Sequence, residues 1–370
     1  GNALQGEGRS YFYDREPAML KISKEVFEAA GLAEQLEHYC HLLELEFRGL
    51  DQHELYQLVF SRLLKPDPFR TLADAVACGD RPTMLGADER DALLPALKNL
   101  FVRRDAPVTI MDLGAGDGQT VALALDHVPD GSRFYLEEPN VSYAGHYEKL
   151  IESVGRDLVV AEVSHETIDE YCHRLNRDET AHPAPGTVDV LLAIHMVYFV
   201  SDLAATVNFM LDRLRPGGQA FIVFADARRG FTGKCFANFA KTADAQRYRA
   251  HQAAQQELAH LFALNGDGAR GAATEKLRQR LGRSDVEVVV NTDPTRLFGN
   301  DLGDLLALGF LTGLGGLAGD SIRDKIASVK DLISRDPAAV ELALETSGPR
   351  EGMWSVLEPQ YVIVITRLSQ

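Results

Sequence analysis

The sequence predicts an α/β fold: a doubly wound seven-stranded sheet with added helical segments in its N-terminal and C-terminal parts. Three observations point there. From about residue 107 onward, short apolar and β-branched runs alternate with helix-sized segments. Before residue 100 the apolar spacing is three and four, the helical period. Between the two regimes stands VTIMDLGAGDGQTVALAL (108–125), in which a glycine-rich turn joins an apolar run to a helical one.

Residues 14–100 read as helical. MLKISKEVFEAAGLAEQLEHYCHLLELEF carries the helical spacing, and LGADERDALLPALKNLF opens with acidic residues, a good helix start. Pro66, Pro68 and Pro82 break the stretch between them. Seven strands are then predicted: VTIMDL (108–113), RFYLEE (133–138), DLVVAEV (157–163), VDVLLAI (188–194), GQAFIVFA (218–225), VEVVVNT (286–292) and QYVIVITRL (360–368). Helix-sized spacers between the first five imply βαβ units and a largely parallel sheet. The last strand returns to that sheet after a long excursion. The expected division is an N-terminal helical cap (1–104), a core (105–226), a helical insertion (227–284), and remaining core strands with a helical lid at 295–356 (285–370). The lid region reads as mixed helix and loop.

Composition excludes several classes. The 370 residues carry a formal charge of −16, the wrong sign for a nucleic-acid partner. No apolar run is long enough to span a membrane. Residues 1–20 lack a signal-peptide pattern. Cys40, Cys78, Cys172 and Cys235 are dispersed, with no CxxC pair, so neither a metal site nor a disulfide framework is expected. These readings fit a cytoplasmic protein, monomeric or homodimeric, with a small-molecule partner.

The glycine string is Gly114-Ala115-Gly116-Asp117-Gly118, a GxGxG rather than the GxGxxG of dinucleotide folds. Such a turn is expected to expose backbone N–H groups and to let a ligand approach closely. Asp117 inside it would repel a pyrophosphate, whereas Asp112 just before it suits a ligand with an ammonium group and no phosphate. S-adenosylmethionine (SAM) answers that description. The next strand ends YLEEPN, placing Glu137 and Glu138 at its carboxyl end; Glu138 can accept from both hydroxyls of a ribose. NAD enzymes share that carboxylate, so it marks a nucleoside and not a reaction. A third element, TVDVLLAIHMVYFVSDLAATVNFMLDRLRPGGQAFIVF (187–224), runs strand, aromatic loop, helix, RPGG and strand. Together the three resemble the motifs of Rossmann-like class I SAM-dependent methyltransferases.

Within that superfamily the chain resembles the histamine N-methyltransferase family. EEPNVSYAGHYEKLIE, SHETIDEY, VDVLLAIHMVYFVSDLAATVNFM, NTDPTRLFGNDLGDLLALGFLT and LEPQYVIVIT carry the likeness, over about 105–370. The resemblance implies that Gly114, Ala115 and Gly116 contact the methionine part of the cofactor with Asp112 in support. It implies that Glu138, with Pro139 beside it, binds the ribose, and that Glu166, Thr167 and Ile168 flank the adenine. Ile194 and His195 would contact the cofactor and face the acceptor. Tyr198, Phe199, Phe231 and Phe310 would wall the acceptor pocket, and Tyr39 and Gln52 would reach it from the N-terminal helices. Gln52, beside His53 and Glu54, stands where the family has a carboxylate. Glu358 replaces a polar amide and His195 a glutamine. The scaffold is kept and the polar groups are reassigned, which points away from histamine itself.

Methyl transfer is an in-line displacement, so the enzyme chiefly positions the acceptor. A neutral nitrogen needs little more. An indole carbon benefits from a base on the ring N–H and from aromatic walls. His195 and Glu358 are the candidate catalytic bases. The competing readings are a structural histidine and a surface glutamate before an edge strand. The Tyr11, Phe12, Tyr13 cluster could cover the pocket or pack on its own core. The expected function is SAM-dependent N-methylation of an imidazole, aryl-alkylamine or indole, of the kind found in natural product biosynthesis. The alternative is C-methylation at an indole carbon such as C3. Other classes weighed are a NAD-linked dehydrogenase and a non-catalytic SAM-binding module.

Overall fold

In the strand Val188–Ile194, VDVLLAI, all residues but the last are buried. A continuous apolar run of this kind is covered on both faces, as a central parallel strand must be. In the computed structural model the described residues are 18–51, 54, 55, 58, 87–102, 104–178, 180–239, 245–264, 271–312, 321–348 and 350–369. Gln52, His53, Cys78, the Tyr11–Phe12–Tyr13 cluster and Pro66, Pro68 and Pro82 lie outside them. The described strands in chain order are β1 (Met19–Lys21), β2 (Thr109–Leu113), β3 (Ser132–Glu137), β4 (Leu158–Ser164), β5 (Val188–Ile194), β6 (Leu214–Ala225), β7 (Val286–Asp293), β8 (Arg296–Gly299), β9 (Ala343–Glu345), β10 (Trp354–Leu357) and β11 (Gln360–Arg367).

The chain divides into two compact units, each gathered from three stretches. One takes 1–95, 226–252 and 294–359; the other takes 96–225, 253–293 and 360–370. The second unit, the sheet unit, holds the predicted seven-stranded sheet, in the order β4-β3-β2-β5-β6-β11-β7. The pairs β4–β3, β3–β2, β2–β5 and β5–β6 are parallel. β11 enters antiparallel to both β6 and β7. Helices cover both faces, as the alternation along β2 shows. Met111 and Leu113 join an apolar cluster with Ile168, Tyr171, Val207 and Leu277, while Asp112 points to the opposite side and meets Tyr147 of the helix Val141–Ser153. RPGG lies inside β6: the pairing jumps from Val188–Leu214 to Val190–Gln219, so Arg215–Gly218 bulge out.

The register aligns the strand ends that matter. Leu113 is opposite both Glu137 and Ala193, and Glu137 is opposite Ser164. The residues that follow, Gly114, Glu138, His165 and Ile194–His195, therefore emerge side by side at the carboxyl edge, where open α/β sheets bind ligands.

The other unit, the helical unit, differs from the helix-and-loop expectation for its 295–356 part. It has a second sheet, β1-β9-β10-β8, antiparallel throughout. These strands are three or four residues long, too short to display a period. β1 likewise interrupts the helical reading of 14–100. Helices Leu32–Phe47, Phe231–Phe239, Leu302–Thr312 and Ile322–Arg335 enclose its core. Among the described residues no helix is long and apolar enough to cross a membrane.

Candidate active site

At the end of β2 the backbone turns into the left-handed region, with φ +62° at Gly114, +59° at Gly116 and +82° at Gly118. Only glycine adopts that region without cost. Gly114 is constrained twice, because a Cβ there would lie 2.5 Å from Cβ of Met196. Gly116 faces open space, so conformation alone requires it. The glycine turn was expected to expose its N–H groups, and three of them prove to be occupied. Gly114 N donates to Glu137 Oε2 at 2.8 Å, Ala115 N to the Glu137 carbonyl at 2.9 Å, and Gly116 N to Glu138 Oε2 at 2.8 Å. A turn whose amides are already given to two carboxylates and a carbonyl offers no cradle for a phosphate.

Three carboxylates gather here. Asp112 is buried and accepts from the Tyr147 hydroxyl at 2.9 Å. Burial pushes its carboxyl up to about 7; Tyr147 opposes the shift, and the Glu137 and Glu138 charges add to it. Glu137 is likewise pushed to about 7 by burial, against the Gly114 hydrogen bond. Glu138 also accepts Asn140 N on Oε1 at 2.8 Å, and its carbonyl lies 3.0 Å from His165 Nδ1. Among the described residues none of the three makes an ion pair with a Lys or Arg. The set is rich in acceptors and short of cations. It suits hydroxyl and ammonium donors, and carboxylate oxygens with remaining lone pairs can accept more than one of them. SAM presents those donors, so these residues fit it. Asp117 accepts from the Gln119 amide at 2.6 Å. Pro139 is exposed.

Beyond β4, Glu166 is tied to Ser164 Oγ at 2.8 Å and Arg174 Nε at 2.7 Å. Thr167 caps the helix Ile168–Arg177 in a reciprocal capping box with Glu170. Ile168 is buried in the apolar cluster of the sheet unit. Glu166 and Arg174 line a shallow groove with His165, Glu170 and His173.

His195 follows Ile194 at the end of β5. Its φ is +54°, which is uncommon outside glycine and well tolerated by few side chains. The backbone is held there because His195 N donates to the Val223 carbonyl at 2.8 Å and Met196 packs on Gly114. The imidazole sits between two partners, Nδ1 at 3.4 Å from the Tyr198 hydroxyl and Nε2 at 3.2 Å from Gln360 Oε1. Burial holds its pKa below 6.5, partly offset by Gln360. Tyr198 stacks on it with ring centroids 6.5 Å apart and accepts the Ala225 N–H at 2.5 Å. Phe199 meets Tyr198 edge-on and is 76% exposed.

The remaining predicted residues belong to the helical unit. Phe231 and Phe310 are fully buried in its core, Phe310 against Phe47 at 4.9 Å between centroids. Tyr39 is half-buried, and Glu54 is exposed. Glu358 is neither on the surface nor before an edge strand. It is 2% exposed and precedes the interior strand β11. One carboxylate oxygen accepts Thr232 N at 2.9 Å and the other the Thr232 hydroxyl, so it satisfies the start of the helix Phe231–Phe239. Burial raises its carboxyl to about 7.

Four residues of this geometry went unread in the sequence: Tyr147 behind Asp112, Gln360 and Asp293 behind His195, and Glu137 as the partner of Gly114. Only Glu137 carried a local signal, the doubled glutamate of YLEEPN.

Residues 85–266 match the family model described as a methyltransferase domain. Over that span the chain carries a methyltransferase domain. No curated protein matches the chain. Among solved structures it is similar to the YcgJ protein of Bacillus subtilis, at 12% identity over 75% of this chain and 98% of that one, TM-score 0.44. It is similar to a putative methyltransferase of Bacillus halodurans C-125, at 12% identity over 75% and 99%, TM-score 0.43. It is also similar to the plantazolicin methyltransferase BamL, solved with a triazolic desmethylPZN analog and SAH, at 10% identity over 92% and 99%, TM-score 0.37.

Proposed function

We propose that this enzyme methylates a small nitrogen-containing aromatic metabolite, with N-methylation the favoured reaction. The observation that carries the reading is His195: a neutral imidazole at the carboxyl end of a central strand, beside the glycine turn, stacked on Tyr198 and next to the exposed ring of Phe199. SAM supplies a methyl group on a sulfonium, whose C–S electrons stay with sulfur as the acceptor's lone pair takes the carbon. The chain's part is to hold both partners. Asp112, Gly114, Ala115 and Gly116 are assigned to the methionine end, with Glu137 bracing the turn. Glu138 and Pro139 are assigned to the ribose, Glu166, Thr167 and Ile168 to the adenine side, and Ile194 to the cofactor beside His195. Tyr198 and Phe199 offer aromatic faces to the acceptor. Tyr39, Gln52, Phe231, Phe310 and Glu358 remain the candidates from the helical unit, Glu358 as an orienting group set by Thr232. The likeness to the histamine N-methyltransferase family supports an aromatic amine or azole acceptor, and His195 in place of that family's glutamine supports one other than histamine.

A second reading has its own support. A base beside an aromatic wall is what methylation at an indole carbon needs, because the ring N–H must be relieved as charge develops. A mass-spectrometric screen with methyl-labelled SAM separates the two. The panel holds histamine, tryptamine, tryptophan and indole-bearing cyclic dipeptides, and fragmentation locates the label. Label on nitrogen is the expected result; label on an indole carbon selects the second reading. Transfer to none of the panel, with SAM bound, overturns the acceptor class.

A further inference from the structure

We propose that Gln360 and Asp293 are positioning residues that fix His195 in its Nε2–H tautomer, leaving Nδ1 as the proton-accepting atom and the Tyr198 hydroxyl as the group through which that atom is reached. The inference rests on the methyltransferase reading of the site and goes beyond it by naming the atom that takes the proton.

The direction of each hydrogen bond follows from the two ends of the chain. At one end stands Asp293, whose Oδ2 accepts. Gln360 Nε2 is 3.3 Å from Asp293 Oδ2, so the Gln360 amide turns its NH2 to Asp293 and its oxygen to His195. That oxygen can only accept, and it lies 3.2 Å from His195 Nε2. The hydrogen of a neutral imidazole is therefore on Nε2, and Nδ1 is bare. At the other end stands the Ala225 N–H, which can only donate. It gives to the Tyr198 oxygen at 2.5 Å, so at that contact the oxygen accepts, and its own hydrogen is the one to meet Nδ1, 3.4 Å away. In these four contacts each donor then meets an acceptor. The partners come from far apart in the chain, Gln360 lying 165 residues from His195 and 67 from Asp293. Gln360 is fully buried.

The chemical consequence is a choice of acceptor. Methylation at nitrogen replaces N–H by N–CH3, and the displaced proton must go somewhere. Here the acceptor gives it to the Tyr198 oxygen as Tyr198 gives its own to His195 Nδ1. The imidazole becomes an imidazolium, and Tyr198 ends as it began. The site thus takes an acceptor that carries a ring N–H to surrender, an azole or indole, in preference to a fully substituted nitrogen. The same N–H is the one relieved when an indole carbon is methylated.

The test is a long-range 15N–1H spectrum of the whole chain labelled at histidine, with the His195 ring assigned by its loss in His195→Asn. The expected wild-type spectrum has His195 protonated at Nε2 and bare at Nδ1. Asp293→Asn frees the Gln360 amide to turn, and Gln360→Met removes the acceptor altogether. Both are expected to move the ring toward Nδ1–H and to lower kcat, while SAM affinity stays within about threefold. A wild-type ring protonated at Nδ1, or a ring unmoved in both variants, overturns the proposal. A chain that binds no SAM in a parallel titration would instead overturn the functional reading, whatever the ring nitrogens show.

Discussion

The Tyr147 hydroxyl donates to Asp112 Oδ2 at 2.9 Å, and neither residue is open to solvent. The pair joins the end of β2 to the helix Val141–Ser153 just behind the glycine turn. Asp112 and Glu137 are both pushed to about 7, mainly by burial. A cation placed against them favours their ionised forms and so releases protons. SAM affinity is therefore expected to rise as pH increases from about 6 to 8 and to level off above. The sign follows from the raised carboxyls, which hold protons in the free protein that the bound state sheds. Calorimetry at pH 7 in buffers of different ionisation enthalpy reads that release directly; no release, or tighter binding at pH 6, contradicts the assignment.

Tyr147→Phe removes one hydrogen bond from a buried carboxyl. The expected loss of stability is about 1–3 kcal/mol, by urea unfolding. Without the phenol the Asp112 carboxyl moves further up, so the pH dependence of SAM affinity should shift to higher pH in this variant. A variant with unchanged stability and an unchanged pH profile would remove Tyr147 from the account.

The two glycines of the turn should respond differently. Gly116→Ala meets no neighbour and carries only the left-handed backbone cost, about 1–2 kcal/mol. Gly114→Ala adds a clash with Met196 to a similar φ and should unfold at a clearly lower temperature. Equal melting temperatures for the two would mean that Met196 is not packed on the turn as described.

His195→Asn keeps a side chain that tolerates positive φ while deleting the base. We expect kcat to fall by about 10²–10⁴ with SAM affinity nearly unchanged. In the wild type, burial lowers the His195 pKa, so the acid limb of kcat should have its midpoint below 6.5, activity being lost as pH falls through it. A midpoint above 6.5, or full activity in His195→Asn, argues for a structural histidine.

The parts that were legible in the sequence were those with local signatures. VDVLLAI and GQAFIVFA announce buried strands because they are apolar on both faces, and the glycine turn announces itself by spacing. The return of β11 to the sheet was legible from its place after a long excursion; its antiparallel direction was not. The second sheet was not legible, since β1, β8, β9 and β10 are too short for a period, and β1 pairs across more than three hundred residues, Met19 with Glu345. The neighbours of His195 were hidden for the same reason: nothing near Gln360 or Asp293 marks them as its partners. Glu358 shows the limit from the other side. Its type and position suggested a site carboxylate, and its burial against Thr232 depends on a helix start more than a hundred residues away. Phe231 and Phe310 read equally well as pocket or core, since an aromatic on an apolar helix face has no sequence mark to separate the two.

The most direct test of the central claim is a calorimetric titration of the whole chain and of Glu138→Ala with SAM. Glu138 braces Gly116 and Asn140 and is assigned the ribose, so removing its carboxylate should weaken binding at least tenfold, or about 1.4 kcal/mol. Saturable binding to the wild type with that loss in the variant is the predicted result. Equal affinity in the two, or no binding to the wild type, would contradict the assignment of this turn and its carboxylates to SAM.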